Sequence, residues 1–316
     1  MDYAHKKSDD ELKKLEKRLA KEYRQAADEM HKKTVEYFER FAYEDAVRSE
    51  KVINGELSEA AWKNWREKEM LVGKQWKAMS ESLADDCKNV NRVARAVIET
   101  HSFDIYALNF NFGTYEAEML SGVDTGFTLY NREAIARMAR ENPRLLPKPG
   151  KKISEYIREG KAKRWTKKQI QSVATQGILQ GESIPKIAKR LANEVADSNM
   201  KSAVRNARTM TTSAENGGRL DSYRRAKEYG IGLRKTWQST QDSRTRDTHR
   251  ALNNEIADID EEFSNGLMFP GDTDGEPSEV YNCRCTIVAE LEGVDYDVEV
   301  DEDLIDIDYE VWIDEH

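Results

Sequence analysis

The sequence predicts an α+β fold: a long, mostly helical N-terminal and middle region, a small α+β module, and an acidic extended tail. Three observations predict it. Leu12, Leu15, Leu19 and Tyr23 recur at helical spacing in a stretch that has no proline before Pro143. Between 233 and 292 the pattern changes: LRKTWQST is strand-like, and NCRCTIVAEL alternates as a strand does. From Glu290 to His316 there are 13 Asp/Glu and no Lys/Arg, with apolar residues between the acids.

From the N-terminus, Ser8-Asp-Asp-Glu11 has the form of a capping box ahead of the first helix. Gly55 marks a turn, and Ser58 caps a second helix carrying Trp62, Trp65, Met70 and Trp76. Trp62 and Trp65 are three apart and share a helix face, where they serve helix packing or an exposed aromatic patch. HSFDIYALNFNFGTYEAEML alternates enough to predict a short strand or an extended arm. SGVDTGFTLYN reads as a loop, REAIARMARENP as a helix stopped before Pro143, and LLPKPGKK as a connector and domain boundary.

WTKKQIQSVATQGILQ resumes the helix, with Ile170, Val173, Ile178 and Leu179 apolar. A Gly181–Ser183 turn follows, with Ser183 as N-cap and Pro185 in the first turn of the next helix. Two helices joined by a short glycine turn can read DNA, although a plain helical hairpin is the commoner use. A further long helix is expected from about Met200 to Tyr229, ended by Gly230 and Gly232. The division is thus 1–146, a helical N-terminal region; 147–232, a basic helical region; 233–292, a compact α+β module; and 293–316, the acidic tail.

Charge is unevenly distributed. The chain of 316 residues has a net charge of -9, yet residues 151–235 hold 20 Lys/Arg against 8 Asp/Glu. A basic middle and an acidic tail suggest different partners, or two solvated faces. Lys151, Lys152, Lys161, Lys163, Arg164, Lys167 and Lys168 are the candidates for contacting phosphates without reading bases. The tail would be repelled by nucleic acid; Val294, Tyr296, Val298 and Val300 would line one strand face that adds to a partner's sheet edge.

No apolar run reaches the roughly 18 residues a membrane span needs, and the N-terminus has no apolar leader segment, so a cytoplasm-like compartment is expected. Three cysteines, Cys87, Cys283 and Cys285, form no disulfide framework, and reduced thiols are expected. The chain lacks a Walker or dinucleotide loop, HExxH and GxSxG, which removes the commonest catalytic signatures.

The informative window runs from Arg205 to Leu291: AVRNARTMTTSAENGGR, then KTWQSTQDSRTRDTHRALNN, then DEEFSNGLMFPGD, then NCRCTIV. The order is Arg-Thr on a helix, Trp, Asp-Ser-Arg-x-Arg-x-x-His, Phe and Phe-Pro-Gly, and Asn-Cys-Arg-Cys. Together they resemble the Mu F-like family of phage head morphogenesis proteins, over about 160–292. ALNFNFGTYEAEM, GFTLYNREAIARM and TQGILQGESIPKIAKRLA are similar to minor head proteins of siphophages of Gram-positive bacteria. The residues that carry the likeness are Arg208, Trp237, Asp242, Arg244, His249, Phe263, Pro270, Asn282, Cys283, Arg284 and Cys285. The family often has an acid after Arg-Thr, where this chain has Met210.

The resemblance implies a virion protein of the head interior, made in the host cytoplasm. It would be held by the portal or the major capsid protein, lie beside double-stranded DNA, and carry no catalytic residues. Some members carry toxin or ADP-ribosyltransferase segments, for which the 25 residues after Leu291 are too few. An assembly factor absent from the finished head is another reading.

Two readings of the site follow from residue types alone. Asp242, Arg244 and His249 would form a hydrogen-bonded cluster fixing a loop over the cysteine strand, with Asn282 and Arg284 tying that strand to turns and Trp237 and Phe263 packing beneath. Alternatively, His249, Cys283 and Cys285 are zinc-ligand types, with Asp242 or Asp247 as a fourth, and a metal-dependent nuclease or transferase could be built there.

Overall fold

The computed structural model describes residues 2–71, 73–141, 159–180, 182, 184–292 and 309–314. In chain order the helices are α1 (Tyr3–Ile53), α2 (Glu59–Leu71), α3 (Lys74–Ser121), α4 (Arg132–Glu141), α5 (Glu159–Leu179) and α6 (Ile184–Glu228). Then come β1 (Leu233–Gln238), α7 (Asp247–Ala251), β2 (Ile256–Asp258), α8 (Pro277–Val280) and β3 (Thr286–Leu291). The fold is α+β, helical first and with its sheet near the C-terminus, as the sequence predicts. The strands form one antiparallel sheet in the order β2-β1-β3, with Trp237 opposite Ile287 and Thr236 opposite Ile256.

Helix ends follow local chemistry. The backbone N–H of His5 donates to Asp2 Oδ1 at 2.9 Å, so Asp2 is the N-cap of α1. Ser8, expected as that cap, is instead inside the helix, where its hydroxyl donates to the Ala4 carbonyl at 2.8 Å. At the other end Gly55 takes φ +74°, and Glu56 N–H reaches the Lys51 carbonyl at 2.8 Å. Ser58 caps α2 as expected, accepting from Ala61 N–H at 3.2 Å. Gly230, at φ +84°, stops α6; Ile231 N–H bonds back to the Ala226 carbonyl at 3.1 Å.

By contact the chain forms two units assembled from separated stretches. The first takes the described residues of Met1–Lys17, Ala96–Glu155 and Val204–His316; the second those of Arg18–Arg95 and Tyr156–Ala203. The four consecutive segments read from composition cut the chain differently, because α1, α3 and α6 each contribute to both units. The LLPKPGKK connector lies outside the described residues.

The second unit has a core of Met30, Tyr37, Phe38, Trp76, Leu83, Ile170, Val173, Leu191 and Val195. Its tryptophans serve packing. Trp65 stacks on Phe41 at 5.4 Å, Arg48 lies 3.9 Å over the Trp65 ring, and Trp62 Nε1 donates to Asp45 at 2.9 Å.

The first unit centres on Tyr106, Phe110, Phe112, Tyr115, Phe127, Tyr309 and Trp312. Residues 101–120, expected to open on a short strand or extended arm, are helical and belong to the C-terminal part of α3. Ile105, Tyr106, Asn109, Phe110, Phe112, Thr114 and Tyr115 are all buried. A helix covered on all sides loses the one-faced period by which helices are recognised. At Gly218 an added Cβ would meet the Tyr106 carbonyl at 2.6 Å, so α6 passes α3 at nearly backbone contact. The helix break expected near Met200 does not occur, and α6 is continuous over 45 residues.

A buried charge cluster closes this unit. Arg219, fully buried, donates to Asp2 at 2.6 and 2.8 Å, to Asn109 at 3.1 Å and to the Ile287 carbonyl at 3.1 Å. Burial opposes ionisation of Asp2, but the Arg219 charge and hydrogen bonds prevail and hold its carboxyl at about 2. His5 meets Glu215 at 2.6 Å.

The acidic tail was expected to be extended. Its described end, 309–314, is helical and seated on the unit's own core: Tyr309 meets Phe112 at 5.0 Å, and Trp312 Nε1 donates to Glu118 at 2.8 Å. Val294, Tyr296, Val298 and Val300 lie outside the described residues. No helix among the described residues is long and apolar enough to cross a membrane.

Candidate functional site

Cys283 and Cys285 lie two apart just before β3, where extended backbone points alternate side chains to one side. Asn282 at φ +55° turns the chain into this stretch, and its N–H donates to Thr209 Oγ1 at 3.3 Å. Helix α6 holds the rest. Thr212 Oγ1 donates to the Cys283 carbonyl at 2.6 Å, and Asn216 Nδ2 donates to the carbonyls of Cys285 at 3.2 Å and Pro270 at 3.1 Å. Ile287 N–H in turn donates to Asn216 Oδ1 at 2.9 Å. Sequence reasoning missed Thr209, Thr212 and Asn216; their signal was a run of small polar residues on a helix interior, where they are otherwise disfavoured.

The second support is ionic. Arg284 makes a two-pronged pair with Asp242 at 2.6 and 2.7 Å. Hydrogen bonds from Arg284 hold the Asp242 carboxyl well below the usual carboxylate range. Thr240 Oγ1 adds a bond to the Arg284 carbonyl at 2.5 Å. Arg244 donates its backbone N–H to Asp242 at 2.9 Å and leaves its side chain largely exposed. Arg208, expected with this group, instead reaches Glu16 at 2.6 Å, one turn along α6 from Thr212.

His249 was expected in a hydrogen-bonded cluster with Asp242 and Arg244; it lines the same small cavity as Arg244, but its hydrogen bonds run elsewhere. Its Nε2 meets Glu279 at 3.0 Å, a partner the sequence did not indicate, and its Nδ1 lies 3.5 Å from both Cys283 Sγ and Cys285 Sγ. The ring is buried against Trp237 at 5.2 Å and 82°, and Trp237 meets Phe263 at 5.1 Å and 85°. Neither expected fourth ligand is present. Asp242 is taken by Arg284, while Asp247 is almost fully exposed beside Arg250. A hydrogen bond from Cys283, with burial opposing and His249 assisting, drives the Cys285 thiol well below the usual thiol range, while Cys283, as that donor and buried, is pushed up. A small cavity beside the group is lined by Thr240, Thr245, Arg246 and Asn282.

The basic candidates are distributed differently. Lys151 and Lys152 lie outside the described residues, and Lys161, Lys163 and Arg164 have described backbone only, within α5. Lys167 pairs with Glu81 at 2.8 Å, and Lys168 is exposed. Elsewhere in 151–235 the cations are largely engaged: Arg190 with Glu194 and Glu182, Arg224 and Lys227 with Asp260, and Arg219 in the core.

Residues 168–288 match the family model described as Phage Mu protein F like protein. The chain is 28% identical to minor head protein GP7 of Bacillus phage SPP1 over 291 residues, 90% of this chain and 85% of that protein. It is also 31% identical over 185 residues to NAD(+)–arginine ADP-ribosyltransferase EFV of Enterococcus faecalis, 57% of this chain but only 36% of that enzyme's length. No solved structure matches the chain.

Proposed function

We propose that the chain is a Mu F-like phage minor head protein and a non-catalytic resident of the head interior. In this reading it is held by the portal and lies beside packaged double-stranded DNA. The observation that carries the reading is the two-way coverage with the Bacillus phage minor head protein, 90% of one chain and 85% of the other. The partial match to the ADP-ribosyltransferase leaves most of that enzyme unrepresented.

The site supports a structural role. Its polar groups answer one another, Asp242 with Arg284 and His249 with Glu279, and its backbone groups are taken up by α6. Such an arrangement fixes the module to the helix that carries it.

Contact with DNA falls to Lys151, Lys152, Lys161, Lys163, Arg164, Lys167 and Lys168. Each phosphate neutralised releases condensed counterions, so binding by these residues is sequence-independent and weakens with salt by about 0.9 per phosphate in log–log slope. The acidic stretch 294–308 would be repelled by DNA and is the segment proposed to meet the portal or capsid. Cross-linking inside purified heads, read by mass spectrometry, tests the placement: links from 294–308 to the portal or capsid protein support it, and links to neither contradict it.

A further inference from the structure

We propose that His249, Cys283 and Cys285 bind one zinc-class divalent cation through Nδ1 and two thiolates. The ion would clip α7 to the start of β3. This inference is independent of the head-protein reading, since a head protein functions with or without such a clip.

The distances fit. With Zn–S near 2.3 Å and Zn–N near 2.0–2.1 Å, a tetrahedral ion sets each N···S separation at about 3.5 Å. Both Cys283 Sγ and Cys285 Sγ lie 3.5 Å from His249 Nδ1. All three ligand atoms fall within 4.8 Å of one another.

Glu279 lies 3.0 Å from His249 Nε2, and two sulfurs approach Nδ1 equally, at 3.5 Å each. A cation between the three atoms satisfies all of them. The carboxylate–histidine pairing is also the one that metal-bound histidines use to fix ring orientation.

The ligands are preorganised and shielded. His249 is 1% exposed and Cys283 and Cys285 each 2%. Thr212 and Asn216 fix both cysteine carbonyls, and Trp237 fixes the imidazole ring. Two thiolates and a neutral imidazole also balance a divalent charge. The cavity that these three ligands line together with Thr240, Thr245 and Arg246 leaves room for a fourth ligand such as water. Bound this way, the ion joins residues 36 apart in sequence, His249 to Cys285.

The test uses the full chain, reduced, stripped with chelator, equilibrated with zinc chloride and desalted. The expected result is one zinc per chain by elemental analysis. Cobalt chloride should give sulfur-to-cobalt charge-transfer absorption of tetrahedral type. Cys283→Ser, Cys285→Ser and His249→Ala should each weaken zinc binding at least about 100-fold, and Glu279→Gln about 10- to 100-fold. Cys87→Ser, at a buried thiol in the other unit, should leave it unchanged. Should a ligand variant fail to fold, mercurial titration of the folded wild type decides, because zinc release must track modification of two thiols. Zinc well below one equivalent, cobalt spectra without sulfur charge transfer, or a Cys283–Cys285 disulfide in protein purified without reductant would each overturn the proposal.

Discussion

The side chain of Asn216, in the interior of α6, accepts the backbone N–H of Ile287 at 2.9 Å and donates to the Cys285 carbonyl at 3.2 Å. One buried amide thus substitutes for a neighbouring strand at the point where the cysteine stretch becomes β3. Asn216→Leu removes the pairing and strands buried backbone groups, at about 1–3 kcal/mol each. The expected loss is about 3 kcal/mol or more in denaturant unfolding of the whole chain, and a loss under about 1 kcal/mol would contradict this role.

Gly218 makes a second, steric prediction. A methyl group there would lie 2.6 Å from the Tyr106 carbonyl oxygen, which belongs to helix backbone and cannot rotate away. Gly218→Ala should therefore destabilise by about 1–3 kcal/mol, although alanine is otherwise the better helix former. A stabilised variant, by thermal unfolding, would mean that the helices do not approach so closely.

The Arg219 cluster predicts a pH dependence. Burial pushes the Glu116 carboxyl up to about 7; Arg219 opposes the rise and Asp2 adds to it. A carboxyl raised in the fold binds its proton more tightly folded than unfolded. Its contribution is full below the unfolded value of 4.5 and is lost as pH rises toward about 7. Glu116→Gln, whose carbonyl can still accept from Tyr223, should flatten the decline in stability between about pH 4.5 and 7, by an amount on the order of 1–3 kcal/mol. An unchanged pH profile would remove Glu116 as its source.

The C-terminal tail calls for separate treatment of its parts. Tyr309 and Trp312 belong to the core of the first unit, so truncation before them removes buried aromatic packing. Trp312→Ala alone should cost about 3–5 kcal/mol. Replacing the acids of 295–308 with amides leaves Tyr309 and Trp312 in place. That variant should keep wild-type thermal stability and be depleted from heads; undiminished incorporation would reject the tail as the docking segment.

Much of this was legible in the sequence, for identifiable reasons. The amphipathic start of α1, Ser58 as a cap, Gly55 and Gly230 as stops, and the strand-like patterns of β1 and β3 are local signals. The structure bears out the helix, the cap and the stops and pairs the two strands, although burial alternates along neither strand. The misreadings came where tertiary contacts set the pattern. The residues around Phe110 and Phe112 looked strand-like because α3 is buried all round. Ser8 looked like a cap because Asp2 lies unexpectedly close to the start of the chain. Cys283, Cys285 and His249 were singled out from residue type and do converge. Their partner Glu279 and their supports Thr212 and Asn216 come from elements whose approach no local pattern announces.

The most direct test of the head-protein account is quantitative mass spectrometry of purified, nuclease- and protease-treated DNA-filled particles. The account predicts peptides from throughout the chain, protected from protease and present in few copies beside the portal protein. Complete absence from such particles, with the chain abundant in the infected cell, would contradict it.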